Sequence, residues 1–373
     1  MKKIGVAILG LGVVGSGTYQ ILNEHREFYQ KTQGVDIEIV SVLEKDKSRL
    51  ESLSVPKEKI AANIAEVVGD PDVNIVVECM GGDTLAKEYV LAALSIGKSV
   101  VTSNKELYAK YSHELEHVAK RHNAGLFFGA CIGSIPVVRL LLDGLTGDSI
   151  CSVVGTAGDE MSAGYQLAVL SSLAFKAKVG DDKVKAEPLS SVSDEDCKAG
   201  HLLGYKLKLL FSGKKCDDGI CVGVYPTLVK KTHPLGASAN AVLLKGDNAG
   251  EITLSDSGAN SLSYGSVIVS DVIYAATHIE IKYPTFSYEE KPFTEDDCSA
   301  YYLRFSANEA GAFSKITSAL AKSHIDVVEM KECDAATIVL ITTPARFSTL
   351  NSAVEKINAS GLATVEAIVK AVY

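Results

Sequence analysis

The first half of the chain alternates short apolar segments with longer segments in which apolar residues recur every three or four positions. Short apolar segments between turn residues are typical of buried strands, and the longer spacing is typical of helices. The predicted strands are Ile4–Leu9, Val35–Leu43, Ile75–Met80, Ser99–Thr102 and Gly125–Phe128. The predicted helices between them are Val13–His25, Leu85–Ile96 and Ser112–His122. This alternation predicts an α/β fold with a doubly wound parallel sheet.

The pattern changes near residue 134, where strands no longer alternate regularly with helices. The predicted helices are Pro136–Leu145, Gly164–Lys178 and Ser266–His278. The predicted strands are Cys151–Gly155, Ile220–Val224, Ala241–Lys245 and Glu251–Leu254. The charged segment Val179–Lys198 predicts a loop, and the polar segment Tyr283–Asp297 predicts a linker. This part of the chain therefore predicts a second domain of the α+β class.

The last 75 or so residues form a third pattern. Strands are predicted at Tyr301–Ser306, Ile325–Met330, Thr337–Thr342 and Thr364–Val369. Helices are predicted at Gly311–Ser323 and Phe347–Ala359. The resulting order βαββαβ is typical of a ferredoxin-like fold.

Composition and charge narrow the function classes. The net charge of −9 argues against nucleic acid or an anionic membrane as partner. The sequence contains no run of about 18 apolar residues, so no membrane-spanning helix is expected. The eight cysteines show neither C-x-x-C nor zinc-site spacing, so free thiols and a cytoplasmic protein without a metal site are expected.

A glycine-rich segment follows the first predicted strand directly and opens the first predicted helix. Its sequence is Gly10-Leu11-Gly12-Val13-Val14-Gly15. In this strand-loop-helix setting the three glycines allow a tight turn, close approach of a pyrophosphate, and close packing of helix on strand. The phosphates would lie at the helix N-terminus. The segment therefore predicts a Rossmann domain that binds a dinucleotide.

The end of the second predicted strand should lie near the adenosine ribose. An acidic residue there binds the 2′-hydroxyl of NAD, whereas a basic residue favours the 2′-phosphate of NADP. The chain places Glu44 and Lys45 side by side at this point, followed by Lys47 and Arg49. The cofactor is therefore NAD(P), with the preference left open.

Two further strand ends carry candidate binding groups. The third strand ends in Met80-Gly81-Gly82, and the fourth ends in Thr102-Ser103-Asn104-Lys105. In parallel sheets the carboxyl ends of the strands form the crevice that binds ligands. These residues are therefore predicted to contact the cofactor, and Lys105 is a candidate for the chemistry.

Taken together, these segments resemble homoserine dehydrogenase over most of residues 1–280. The resemblance rests on the motifs GLGVVGSG, VVECMGG, VTSNKEL, Ile135-Pro136-Val137-Val138, Val224-Tyr225-Pro226-Thr227, His233-Pro234-Leu235, Asn240-Ala241-Val242, Gly246-Asp247 and Val269-Ser270-Asp271. It implies an NAD(P)-dependent oxidoreductase that interconverts aspartate 4-semialdehyde and homoserine in threonine and methionine biosynthesis.

The resemblance also implies roles for individual residues. Two lysines, Lys105 and Lys206, would stabilise charge and donate a proton at the reacting oxygen. Gly258 would join the cofactor site, and Gly155 and Thr156 would join the substrate site.

The sequence departs from the family mainly in the substrate half. Leu202 stands where the family has an aspartate one helical turn before the second lysine, and Ser191 stands near the position of a substrate-binding glutamate. Three interpretations remain open. The chain is a homoserine dehydrogenase with a rearranged pocket, a reductase of the same plan with another small substrate, or a non-catalytic paralogue that acts as a sensor or regulatory subunit.

The C-terminal segment resembles an ACT domain, a regulatory module that often binds amino acids. This resemblance implies an amino-acid effector and, with the second domain, a homodimer or homotetramer. The expected domains are residues 1–133, 134–290 and 298–373, with the helix near 266–278 returning to the first. The segment Asn308-Glu309-Ala310-Gly311 departs from the usual turn of that module but keeps its glycine.

Overall fold

A computed structural model describes residues 2–258, 260–278, 289–307, 311–334 and 336–373. The chain divides into two compact units. The first comprises Met1–Gly147, Ala168–Asp181 and Asp256–Tyr288, and the second comprises Asp148–Leu167, Asp182–Ser255 and Glu289–Tyr373. The three-domain boundaries expected from the sequence stay a prediction.

The first unit contains five strands and eight whole helices in its described part. The strands are β1 (Lys2–Leu9), β2 (Val35–Leu43), β3 (Val73–Glu78), β4 (Ser99–Thr102) and β5 (Leu126–Phe127). The helices are α1 (Val13–Glu24), α2 (Arg26–Gln33), α3 (Lys47–Ser52), α4 (Ile64–Gly69), α5 (Thr84–Ser95), α6 (Lys105–Arg121), α7 (Val137–Arg139) and α11 (Ser261–Thr277). A further helix, α8 (Glu160–Phe175), follows α7 in sequence and has residues in both units.

The strands of the first unit form one parallel sheet in the order β2-β1-β3-β4-β5. The interior strand β1 lies between β2 and β3 and buries Ile4, Val6 and Ile8, because both of its edges and both of its faces are covered. This arrangement confirms the predicted fold class. The carboxyl ends of all five strands lie at one edge of the sheet, where the glycine-rich loop begins.

Helix α11 packs closely on α1 through facing glycines. A Cβ atom on Gly17 would lie 1.9 Å from the carbonyl oxygen of Ser261, and one on Gly265 would lie 2.6 Å from the carbonyl carbon of Gly17. Asn260 and Ser263 close the start of α11 with reciprocal hydrogen bonds, which form a capping box. The first turn of α11 therefore lies beside the second turn of α1.

Three predictions about secondary structure were wrong. Helix α6 begins at Lys105 rather than Ser112, because the Asn104 side chain accepts a hydrogen bond from the Leu107 N–H and caps the helix there. Helices α2 and α3 lie in segments where no helix was predicted. The predicted loop Val179–Lys198 contains a short strand and the start of a helix that is capped by Ser193.

The second unit is built on strands. These are β6 (Ile150–Thr156), β7 (Lys185–Ala186), β8 (Tyr205–Cys216), β9 (Gly219–Lys230), β10 (Asn240–Gly246), β11 (Gly250–Asp256), β12 (Cys298–Ala307), β13 (Val327–Glu332), β14 (Thr337–Thr342), β15 (Ala345–Arg346) and β16 (Ala363–Val372). Its helices are α9 (Asp194–Leu202), α10 (Pro234–Ala237), α12 (Ala312–Ala321) and α13 (Phe347–Ala359).

One mixed sheet runs through the second unit in the order β11-β10-β6-β8-β9-β16-β12-β14-β13. The C-terminal segment follows the predicted βαββαβ order, and its last strand, β16, pairs in parallel with β9 through Lys370 and Thr227. The terminal segment is thus joined to the preceding sheet by backbone hydrogen bonds. Of the predicted linker Tyr283–Asp297 and turn Asn308–Gly311, residues 283–288 and 308–310 lie outside the described residues.

A buried ion cluster holds this junction together around Asp297, which is 2% exposed. One carboxylate oxygen lies 2.7 Å from Lys370 Nζ, and the other lies 3.1 Å from Lys214 Nζ and 2.6 Å from the Ser299 hydroxyl. Burial alone would raise the pKa of Asp297, but the two ammonium groups lower that pKa to about 2. The charged carboxylate therefore stabilises the folded state.

We expect Asp297→Asn to destabilise the folded protein by about 2 kcal/mol at neutral pH, since the pKa of Asp297 falls by nearly two units on folding. A lowered carboxyl pKa adds stability above about pH 4, and that stability is lost as the pH falls towards 2. The difference between wild type and variant in urea denaturation should therefore shrink over this range. Asp217→Asn, at a fully exposed acid, is the control and should show neither effect.

Candidate dinucleotide and active site

Two glycines of the loop after β1 meet steric limits, and the third has an open backbone. Gly10 has φ +87°, and a Cβ atom there would lie 2.9 Å from the Cys79 carbonyl oxygen. A Cβ atom on Gly15 would lie 1.9 Å from the Gly10 carbonyl oxygen. At Gly12 the only neighbour would be the Arg49 guanidinium at 3.9 Å, so this backbone is open to a ligand. A tight turn at Gly10, an open backbone at Gly12 and close packing at Gly15 are the three features that a dinucleotide loop requires.

The start of α1 leaves its donors free for such a ligand. Gly12 is the N-cap residue and supplies no side-chain hydrogen bond, and Val13 is exposed beside Val14. The first N–H groups of a twelve-residue helix therefore point out of the loop with the positive end of the helix dipole. This cradle fits the pyrophosphate of a dinucleotide.

Glu44, at the end of β2, faces this loop. Its carboxylate accepts hydrogen bonds from the Leu11 N–H at 2.6 Å and from the Asp46 N–H at 2.9 Å. Burial raises its pKa, but these backbone bonds outweigh burial and lower the pKa of Glu44 below its usual value. Arg49 lies 3.6 Å from Glu44 and 3.4 Å from Asp46, whereas Lys45 is exposed. A carboxylate therefore stands where the ribose would be expected.

Glu78 is a buried acid that the sequence analysis did not predict, and it forms hydrogen bonds at the ends of both β3 and β4. Glu78 is 0% exposed and ends β3. Its carboxylate accepts hydrogen bonds from the Met80 N–H at 2.7 Å, the Gly81 N–H at 3.3 Å and the Thr102 hydroxyl at 2.6 Å. Burial raises the pKa of Glu78, and these three donors oppose that effect. Glu78 thus fixes the Met80–Gly82 turn against β4.

The network continues to the start of α6. Thr102 accepts a hydrogen bond from the Asn104 N–H at 2.9 Å, and the Asn104 side-chain amide donates to the Gly82 carbonyl at 2.6 Å. Ser103 donates its N–H to the Glu78 carbonyl. Lys105 follows as the first residue of α6 and is half-buried, close enough to Cys131 for its charge to act on that thiol. The structure therefore gathers the predicted residues of both strand ends.

Gly258 lies two residues before the cap of α11. Its N–H donates to the Asp256 carboxylate at 2.9 Å, and the Ser134 hydroxyl donates to the other oxygen of that carboxylate. Because the first turn of α11 lies beside α1, this places Gly258 on the same side of the first unit as the glycine loop.

Lys206 does not stand where a helical spacing would put it. Helix α9 ends at Leu202, and Lys206 lies on β8 opposite Val229. The expected one-turn relation between Leu202 and Lys206 is therefore wrong. On the same face of β8, the Lys208 ammonium donates to the carbonyls of Leu235 and Ser238.

Gly155 and Thr156 have structural contacts in the second unit. A Cβ atom on Gly155 would lie 2.1 Å from the Phe211 ring, so only glycine fits there. The Thr156 hydroxyl accepts a hydrogen bond from the Ala241 N–H at 2.9 Å and ties β6 to β10. Packing alone explains both residues, and their substrate role stays a prediction.

Two more buried acids escaped the sequence reasoning. Asp196, within an acidic run expected to be solvated, is 3% exposed and accepts from Arg304 Nε at 2.7 Å and from the Tyr302 hydroxyl. Asp271 lies 2.7 Å from both Arg139 Nη2 and the Gly129 N–H. Only Asp271 gave a signal in the sequence, because it lies in the apolar segment Val267–Ile273, where a buried acid needs partners.

The described residues contain neither a membrane-spanning helix nor a metal-binding cluster. No described helix is long and apolar enough to cross a membrane. In the same residues, no group of three or more histidine, cysteine or acidic side chains is placed to hold a metal ion.

Comparison with known proteins identifies the same family along most of the chain. A family model for the NAD-binding domain of homoserine dehydrogenase matches residues 10–129, and a second model, for homoserine dehydrogenase, matches residues 159–273. The homoserine dehydrogenase of Bacillus subtilis is 30% identical, with 92% of each chain covered.

Solved structures agree. A homoserine dehydrogenase from Thiobacillus denitrificans aligns with a TM-score of 0.85 at 29% identity, over 100% of this chain and 98% of that one. A hyperthermophilic archaeal homoserine dehydrogenase mutant in complex with NADPH aligns with a TM-score of 0.63 at 22% identity, over 76% of this chain and 99% of that one, and supports the fold alone.

Proposed function

Because this chain belongs to the homoserine dehydrogenase family of NAD(P)-dependent oxidoreductases, we propose that it interconverts aspartate 4-semialdehyde and homoserine. The observation that carries the proposal is the continuous network from Glu78 through Thr102 to Asn104. This network joins the open turn at Gly82 to Lys105 at the crevice of the sheet. The Gly82 turn and the start of α6, where Lys105 lies, are thus held by one hydrogen-bond network.

The residues of the first unit would hold the cofactor in two places. Gly12, Val13 and the free N–H groups of α1 would bind the pyrophosphate. The open backbone of Gly81 and Gly82, where a Cβ atom would meet nothing within 4 Å, leaves room for the nicotinamide half. Bound NAD(P) supplies or accepts the hydride.

Lys105 would act on the substrate oxygen. When the aldehyde is reduced, its ammonium would stabilise the negative charge that develops on that oxygen. It would then donate the proton that converts this oxygen to the alcohol. The Asn104 cap fixes the backbone at this position, so the side chain starts from a defined point. The roles of Lys206, Gly155 and Thr156, the homo-oligomer and an effector at the terminal segment stay predictions.

The position of Glu44 favours NAD over NADP, since its carboxylate repels a 2′-phosphate and accepts hydrogen bonds from ribose hydroxyls. We expect NADH to bind more tightly than NADPH. Glu44→Gln should reduce the ratio of the two affinities about tenfold, which corresponds to about 1.4 kcal/mol. Calorimetric titration with each cofactor measures this ratio.

The control for that variant is Glu51→Gln, an exposed acid on the neighbouring helix α3. It should leave the affinity ratio unchanged. An equal ratio in wild type and Glu44→Gln would show that the carboxylate serves only to hold Leu11.

The proposed activity is tested by incubating the purified protein with L-homoserine and NAD⁺ or NADP⁺ and following the reduced nicotinamide. Reduction should depend on homoserine and should fall sharply with L-serine, whose alcohol stands one carbon closer to the amino-acid group. Cofactor binding without any homoserine-dependent reduction would refute the proposal and support a non-catalytic role.

A further inference from the structure

Glu78 differs from the other deeply buried acids of the described residues. Four acidic side chains in this part of the chain are at most 3% exposed, and three of them pair with a basic side chain. The pairs are Asp196 with Arg304, Asp271 with Arg139, and Asp297 with both Lys214 and Lys370. Glu78 is 0% exposed and forms no ion pair with any described residue. It is therefore the one acid of the four without a counter-ion.

Every described partner of the Glu78 carboxylate is a hydrogen-bond donor. The carboxylate accepts from the N–H groups of Met80 and Gly81 and from the Thr102 hydroxyl. The Thr102 oxygen accepts in turn from the Asn104 N–H, which leaves its own hydrogen for Glu78. Such donors suit an ionised carboxylate, which only accepts hydrogen bonds. They bring no full positive charge, however, and a buried charge without a counter-ion is unfavourable.

The charge of Glu78 acts on other groups at the carboxyl ends of the strands. Burial is the largest cause that raises the pKa of the Cys131 thiol, and the charge of Glu78 is the next. The charge of Lys105 lowers the pKa of the same thiol. Cys131 Sγ lies 3.8 Å from the Thr102 carbonyl oxygen at the end of β4. The charges of Glu78 and Lys105 thus both reach this part of the crevice, although the two residues do not pair.

The turn that follows Glu78 is open on its other side. The Gly81 nitrogen lies 3.3 Å from the Glu78 carboxylate, whereas a Cβ atom on Gly81 or Gly82 would meet nothing within 4 Å. This open side is where the nicotinamide half is proposed to bind. The nicotinamide ring carries a positive charge in NAD⁺ and none in NADH. Only the oxidised cofactor would therefore bring a cation to Glu78.

We propose that Glu78 determines which oxidation state of the cofactor the site prefers, with the oxidised nicotinamide ring as the counter-ion that Glu78 lacks in the free protein. The proposal rests on the position proposed above for the nicotinamide half at the Gly82 turn. The buried carboxylate attracts NAD⁺ across this turn and has no such effect on NADH, because the interaction requires a full charge on both partners. Glu78 thus favours the cofactor that accepts the hydride over the cofactor that donates it.

The test is calorimetric titration of the full chain with NAD⁺ and with NADH, in wild type and in Glu78→Gln. Glutamine keeps the size of the side chain and removes its charge. The affinity for NAD⁺ should fall about tenfold relative to the affinity for NADH. Equal losses for the two cofactors, or no loss, would mean that Glu78 only shapes the turn and would overturn the proposal. The assay contains no homoserine, so its outcome is separate from that of the proposed dehydrogenase activity.

Two further substitutions at the same position separate charge from shape. Glu78→Asp keeps the charge on a shorter side chain, so the ratio of the two affinities should stay close to that of wild type even if both affinities fall. Glu78→Ala removes the charge without placing an amide N–H group against the backbone donors. It should shift the ratio as Glu78→Gln does, and it takes the place of that variant if circular dichroism shows that Glu78→Gln is unfolded.

Glu44→Gln is the matched control for the loss of a carboxylate. It removes a negative charge at the adenosine end of the proposed site, which is identical in NAD⁺ and NADH. The affinities for the two cofactors should therefore change by the same factor. A change in their ratio as large as that in Glu78→Gln would mean that the preference does not come from the place of Glu78 behind the Gly82 turn, and would overturn the proposal.

Discussion

Lys105→Met is expected to slow homoserine oxidation by about 100- to 10,000-fold, the range found when a group that transfers or stabilises a proton is removed. Methionine is unbranched and only one heavy atom shorter than lysine, and it leaves the Asn104 cap in place. Because we propose that the cofactor binds through the glycine loop and the Gly82 turn, its affinity should stay within a few-fold of wild type. Steady-state rates with saturating cofactor, beside calorimetry of the cofactor, separate the two effects.

Two matched variants show whether the effect belongs to this lysine. Lys120→Met changes an exposed lysine at the other end of α6 and should leave the rate unchanged. Lys206→Met tests the second lysine that the family resemblance implied. A loss as large as that of Lys105→Met would support that role, and a small loss would agree with its place beside Lys208 on β8.

Asp271→Ala is expected to destabilise the first unit by about 3–5 kcal/mol, the cost of removing one partner from a buried ion pair. The change removes the Asp271 carboxylate, which is 2% exposed, from the buried Gly129 N–H and from the Arg139 guanidinium, which keeps its pair with the half-exposed Asp143. Burial raises the pKa of Asp271, while Arg139 and Gly129 oppose that shift. The chain has no tryptophan, so urea unfolding is best followed by circular dichroism.

The same arginine provides the control. Asp143 pairs with Arg139 at 3.2 Å, but about half of its side chain is exposed. Asp143→Ala should therefore cost less than about 1 kcal/mol. Equal losses in the two variants would mean that Arg139 adds stability through its contact with Tyr274 rather than through its pairing with Asp271.

The parallel sheet could be predicted from the sequence because each of its strands is a short apolar segment before a turn. The glycine loop could be predicted for a related reason, since Gly10, Gly12 and Gly15 follow β1 directly in the spacing of a dinucleotide loop. These features depend on contacts close in sequence, which local patterns record.

Features that depend on distant partners could not be predicted in the same way. The acidic run at the start of α9 is identical in pattern to a solvated helix N-terminus, and only Arg304, more than a hundred residues later, shows that Asp196 is buried. Lys206 was misplaced because the antiparallel pairing of β8 with β9 overrides the helical spacing between Leu202 and Lys206. The role of Asp297 likewise requires Lys214 and Lys370 to meet across three strands.

We expect homoserine to transfer a hydride directly to the nicotinamide that the first unit is proposed to bind. This transfer is tested most directly with L-homoserine that carries deuterium at the alcohol carbon, followed by mass spectrometry of the reduced cofactor. Deuterium should appear on the nicotinamide ring, and Lys105→Met should slow its appearance. Nicotinamide that stays oxidised, or that is reduced without deuterium, in the presence of folded, cofactor-bound protein would contradict direct transfer.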